Sequence, residues 1–123
     1  MKVRQGFVSN SSTSSYMIII PTENFEEVVS KMGNLSAKII RDLVQDEKVI
    51  GIDAKLLSYC SGNDDTFEPH DLDYDLQVEL EKEVGVTIEE DMYPFYEMLR
   101  EAMNKYGDLV KKHDKGFYYS EYH

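Results

Sequence analysis

The chain has 123 residues, 41% hydrophobic and 30% charged, which suits one domain, residues 1–123, with a core of moderate size. Its net charge of -11 disfavours direct binding to nucleic acid or anionic lipid and favours a basic or neutral protein partner. A lone cysteine, Cys60, excludes an intramolecular disulfide and suits a reducing cytoplasm; residues 16–20, the longest apolar run, are too few to span a membrane, and residues 1–5 lack a secretory signal's apolar stretch.

The first strands are expected at 1–8 and 16–20, around an exposed loop of small polar residues, 9–15. The loop holds Ser9, Asn10, Ser11, Ser12, Thr13, Ser14 and Ser15, none able to build a core. Ordering such a run has an entropic cost with no packing in return. Its hydroxyls, one amide and backbone N–H groups beside Arg4 have the chemistry of hydrogen-bonded recognition of a peptide or an anion. Arg4 and residues 9–15 are therefore one candidate partner-binding site, with Phe7 and Tyr16 pinning the ends. A long connection with no further role is the competing reading.

A helix is expected next, with Phe25, Val28, Val29 and Met32 on one apolar face, Thr22 as its cap and Gly33 ending it in the left-handed region. Ser36 is the expected cap of a second helix carrying Ile39, Ile40, Leu43 and Val44, with Leu35 and Ile40 as a hydrophobic staple. The two make an αα-hairpin. Strands are expected at 48–53 and 55–60 around a turn at Asp53 and Ala54, followed by a loop at 61–65. Residues 72–84 fit both strand and helix periods; their Glu, Leu and Lys content and Gly85 favour helix.

Thr87 and Glu90 have capping-box spacing, but Pro94 forbids a long helix begun there. A short turn is expected first, then a helix from about Pro94 burying Phe95, Leu99, Ala102, Met103 and Tyr106. Gly107 should weaken this helix by ~1 kcal/mol. Residues 117–122 read as a closing strand. Segregated strands and helices give an α+β fold: a small, mainly antiparallel sheet with helices packed on one face.

Twelve of the 24 acids fall within residues 64–91, where Lys82 is the only Lys or Arg. Asp71, Asp73, Asp75 and Glu79 are the second candidate partner-binding group. They suit either a mimic of a phosphate backbone or a solvated face that maintains solubility. Counted from Asp71, the calcium-loop positions for Gly and Glu hold Leu76 and Lys82, so that pattern fails. Cys60, His70, His113 and His123 lack zinc spacing, and no nucleophile, Walker A or dinucleotide motif surrounds them. No catalytic residue, metal or cofactor is assigned. A cysteine at a strand end is by default buried and structural. Tyr106, Phe117, Tyr118, Tyr119 and Tyr122 are better explained by sheet packing than by base stacking, which comes with a basic groove.

The opening Arg4, Gly6, Phe7, Val8, Ser9 and Asn10, with the serine run behind it, resembles one shared by small uncharacterised phage and bacterial proteins. Their pattern runs Arg-any-Gly-Phe-Val-Ser-Asn, a serine run, Phe and an apolar strand; this chain departs at Thr13 and Tyr16. A looser likeness covers residues 57–86: strand, Ser/Gly/Asn/Asp turn, acidic helix and Gly-Val. The resemblance implies a phage or mobile-element origin and no catalytic activity, and an opening that recurs on differing bodies suits a tag read by a common partner. The expectation is a non-enzymatic, cytoplasmic interaction protein that binds a protein partner. An acidic inhibitor occupying a nucleic-acid site is the alternative, and a small enzyme without a recognisable motif the third reading.

Overall fold

The computed structural model of the chain describes residues 13–61 and 65–122. Its described elements are β1 (Ser14–Pro21), α1 (Thr22–Val29), α2 (Asn34–Leu43), β2 (Gln45–Val49), β3 (Ile52–Ser61), a 3-10 turn (Pro69–Asp71), α3 (Tyr74–Val84), α4 (Tyr93–Lys111) and β4 (Phe117–Tyr122). The strands form one sheet in the order β2-β3-β1-β4, antiparallel throughout. This is the expected α+β fold.

Sheet register separates two faces, because residues directly opposite one another point the same way. Ile18 pairs with Leu57 and Tyr118, and Tyr16 with Tyr59. These side chains, with Ile20, face the helices and join the core. There they meet Phe25, Val28 and Val29 of α1, Ile39, Ile40 and Leu43 of α2, and the α4 stripe. Phe95, Leu99, Ala102, Met103 and Tyr106 are buried as the spacing predicts, and Val110 extends the stripe. Each fully buried large apolar side chain contributes roughly 1.5–3 kcal/mol. Tyr16 and Tyr59 stack with ring centroids 4.7 Å apart, and Phe25 meets Tyr106 edge-on.

Ion pairs tie the helices on their solvent side. Arg41 of α2 grips Glu26 of α1 with its Nη2 2.8 Å from the carboxylate, and this hydrogen bond holds the Glu26 pKa below its usual value. Lys38 of α2 meets both oxygens of Glu79 in α3 at 3.0 Å. Arg100 of α4 reaches Asp65 at 2.6 Å and anchors the chain just beyond β3.

Several local expectations are corrected. α1 stops at Val29, its N-cap position is Pro21, and Thr22 makes no capping bond. Gly33 is extended, with φ −65 and ψ 158, and precedes α2. Ser36 and Leu35 therefore lie inside α2, and the staple does not form. The β2–β3 turn is at Ile50 and Gly51, not Asp53 and Ala54, which lie within β3. Both turn residues have positive φ, 51 and 77, the type I′ geometry that matches strand twist. Glycine reaches it freely; a β-branched residue is strained there. Residues 72–84 are helical as expected, with Asp73 capping α3 and Gly85 ending it at φ 92. Thr87 and Glu90 form their reciprocal capping bonds in a turn before α4.

Candidate functional site

The serine opening is described only at its end. Arg4, Ser9, Asn10, Ser11 and Ser12, with the strand expected at 1–8, lie outside the described residues. Thr13 is buried, and Ser14 and Ser15 are half-buried residues of β1 rather than exposed loop. Ser14 pairs with Ser61 and Tyr122, Ser15 with Cys60 and Glu121. The sheet extends two residues before the apolar run because β1 is central, and backbone bonds to both neighbours hold small polar residues in line. Both edges of β1 are thus taken.

The acidic block is fully described from Asp65 onward, and most of its named acids have local duties. Asp71 accepts from the Glu68 N–H at 2.8 Å, closing the 3-10 turn. Asp73 accepts from the Asp75 N–H at 3.2 Å and caps α3; its own N–H donates to Asp42. Glu79 is paired with Lys38. Asp75 is exposed in the first turn of α3, where the helix dipole favours a negative charge. Asp73, Asp75 and Glu79 line one groove along the start of α3, with Asp71 outside it, and Lys38 and Arg41 share that groove, so the four form no continuous acidic track.

The other polar candidates do not converge. Among the described residues no group of three His, Cys, Asp or Glu is placed to hold a metal ion. Cys60 is half-buried, not buried, and its Sγ is 3.5 Å from Ser15 Oγ. His113 Nδ1 accepts from the Lys115 N–H at 3.1 Å, and Nε2 lies 3.4 Å from Glu27. His70 is exposed in the 3-10 turn. Burial pushes the hydroxyl pKa values of Tyr59 and Tyr106 well up, and the Tyr106 hydroxyl has no partner among the described residues. No described helix is long and apolar enough to cross a membrane.

The remaining feature is the sheet face turned away from the helices. By register it carries Met17 and Ile19 of β1, Ile52, Ala54 and Leu56 of β3, Phe117 and Tyr119 of β4, and Val49 of β2. No described element covers it. Phe117 is 52% exposed, Ile52 58%, and Ile50 at the hairpin tip 96%. A hollow of about 330 Å³ opens between Ile19, Val49, Ile52 and Phe117, with Lys115 at its rim. The charged strand residues of this face are Glu47 and Glu121, at diagonally opposite corners. The sequence signal for it is the doubling of apolar residues within strands: Ile18-Ile19-Ile20, Leu56-Leu57 and Phe117-Tyr118-Tyr119. Consecutive apolar residues in a strand are the pattern of a sheet covered on both sides.

No protein-family model, curated protein or solved structure matches the chain.

Proposed function

We propose that this chain is a non-enzymatic interaction protein whose binding surface is the open face of the sheet. The observation that carries the reading is a contiguous apolar face, Met17, Ile19, Ile52, Phe117 and Tyr119, on a chain of net charge -11. Exposed apolar patches of this kind mark interaction surfaces. The face lacks convergent acids, bases or nucleophiles, and its geometry suits a flat protein surface rather than a small substrate. The resemblance of residues 4–16 to phage and bacterial openings adds a phage or mobile-element origin and a role for the serine run as a second contact. The lone cysteine suits a cytoplasmic setting.

The acidic-inhibitor reading has less support, because Asp71, Asp73 and Glu79 have intramolecular partners that explain their presence. The test is affinity purification from native cells with wild-type protein, Phe117→Glu, a variant with residues 9–12 replaced by a Gly/Ala linker that leaves β1 intact, and one with Asp71, Asp73, Asp75 and Glu79 neutralised. Proteins retained by wild type and lost with Phe117→Glu bear the reading out. Retention that survives Phe117→Glu and disappears when Asp71, Asp73, Asp75 and Glu79 are neutralised overturns it in favour of the acidic block.

A further inference from the structure

We infer that the open sheet face packs against the same face of a second copy of this chain, giving a two-fold sheet-on-sheet dimer. The inference rests on reading that face as a binding surface and names its occupant.

The pattern of the strands comes first. β1, β3 and β4 have apolar residues on both faces, as strands of two-layer sheet packings do. α1, α2 and α4 cover one side. On the other, Met17, Ile52, Phe117 and Tyr119 are exposed, while Ile19 and Leu56 between them are half-buried. A sheet face of this composition is completed by a second apolar layer.

Charge then selects among layers. A basic partner would be drawn to the acidic helices, but the open face has few acids to receive it. Glu47 and Glu121 lie at opposite corners, and Lys115 rims the hollow. The matching surface is itself flat, apolar and nearly uncharged at its centre. A second copy presents such a surface by symmetry, since a two-fold interface is made of one patch meeting itself. The acids of residues 65–91 do not oppose this arrangement closely. Apart from Asp65, paired with Arg100, and Glu68, they belong to the 3-10 turn, α3 and the turn after it, and α3 packs on α2 and the 3-10 turn. In a dimer joined through the open faces, those two acidic layers point outwards.

Area agrees with a reversible dimer. The exposed parts of Met17, Val49, Ile50, Ile52, Phe117 and Tyr119 amount to on the order of 600 Å². Two such faces bury ~1,200 Å² in total, the lower end of specific protein interfaces. The tip residue Ile50 also finds a reason. A β-branched residue at positive φ is strained, and retaining it at an exposed hairpin tip is understandable where it packs on another surface.

The experiment is sedimentation velocity on wild type, Phe117→Glu, Ile52→Lys and a chain lacking residues 1–12, across a dilution series centred on ~10 μM. Melting curves confirm that each variant is folded. Wild type should run at twice 14.3 kDa at the upper end of the series. Both charged variants should weaken association at least tenfold while keeping their melting transitions. Added salt should tighten the dimer, because it screens the repulsion of two acidic copies and leaves apolar burial intact. Four results overturn the inference. Wild type could stay monomeric throughout. Phe117→Glu could dimerise as wild type does, placing the contact elsewhere on the chain. Salt could dissociate the dimer, marking it as ionic. Only the chain lacking residues 1–12 could dimerise, which would make that segment the occupant. A monomeric wild type that still loses a foreign protein on Phe117→Glu would remove the second copy and leave the proposed function standing.

Discussion

Gly107 of α4 lies against the ring of Tyr118 in β4: a Cβ built at Gly107 would come within 2.7 Å of Tyr118 Cε2. The glycine admits the strand to the helix. By propensity alone, Gly107→Ala should stabilise α4 by ~1 kcal/mol. In this structure it should instead destabilise by ~1–3 kcal/mol through overpacking, since the added methyl would also meet Ile18 Cδ1 at 3.4 Å and Lys111 lies over the Tyr118 ring at 4.2 Å. In a Tyr118→Ala background the same substitution should recover the propensity gain. Urea unfolding of the four proteins measures both, and equal effects in the two backgrounds would show that the close approach has no energetic weight.

Leu99 of α4 lies in the hydrophobic core and is 1% exposed. Leu99→Ala should cost ~2–5 kcal/mol, a large share of a small domain's stability. A melting temperature within a degree or two of wild type, on the order of the effect of a neutral surface change, would remove Leu99 from the core.

Burial raises the pKa values of Tyr59 and Tyr106 above the free phenol value, with Tyr118, Tyr16 and Asp108 adding to the effect at Tyr59. An acid whose folded pKa is raised favours the folded state while it is protonated. The contribution is complete below the unfolded pKa near 10 and is lost as pH rises beyond it. Stability should therefore fall steeply above about pH 10, and Tyr59→Phe should flatten that limb. Absorbance at the phenolate band should show Tyr59 and Tyr106 ionising only as circular dichroism is lost. Separately, Tyr106→Phe removes an unpartnered buried hydroxyl and should raise stability by ~1 kcal/mol.

Neutralising the acidic block should not be silent. Asp71, Asp73 and Glu79 each hold a hydrogen bond or ion pair. Replacing Asp71, Asp73 and Asp75 by Ala and Glu79 by Gln should lower stability by ~1–2 kcal/mol. Most of the loss should fall at the Asp73 cap, and relief of acidic self-repulsion should recover part of it. Chemical unfolding of Asp73→Ala beside the quadruple variant tests the apportionment. An increase in stability for the quadruple variant would show that repulsion outweighs the local bonds.

Ile50 occupies a left-handed turn position better suited to Asn. Ile50→Asn should stabilise the monomer by ~1 kcal/mol, while weakening the dimer inferred above. Thermal melting at low concentration and sedimentation at high concentration read the two effects separately. A loss of monomer stability would mean that Ile50 packs within its own chain.

Much of this fold is written in local patterns. α3 is legible from Asp73, Gly85 and the apolar positions between them, and α4 from Pro94 and an unbroken apolar stripe, because caps and period act within a few residues. The misplaced features depend on distant partners. The β2–β3 turn falls at Ile50 and Gly51 because β2 pairs Val49 with Ile52, a strand-to-strand register that the weak Ile-Gly turn signal does not announce. Ser14 and Ser15 become strand because Cys60 and Glu121 lie beside them, which no nearby residue announces. Gly107 is a weak helix residue in isolation and a necessary one once Tyr118 is against it. Of the two candidate sites, the acidic block is where it was expected, but its charges are partly spoken for. The open face was present as apolar doublets, whose second face has meaning only once the helices are known to cover just one side.

The sheet order also imposes a sequence of events. β2 and β3 join across two residues, whereas β1 finds β4 only after α3 and α4 have intervened, pairing Ile18 with Tyr118. Loop-closure entropy makes the first pairing fast and the second slow. A chain emerging from its N-terminus therefore holds β1 with one side bare until β4 arrives. During that interval the backbone edge of Ser14 to Ile19 that β4 will cover is the part most exposed to mispairing with other chains. The last pairing formed is also the easiest to release: β4, whose strand neighbour among the described residues is β1 alone, is expected to exchange its amide hydrogens well before β3 does.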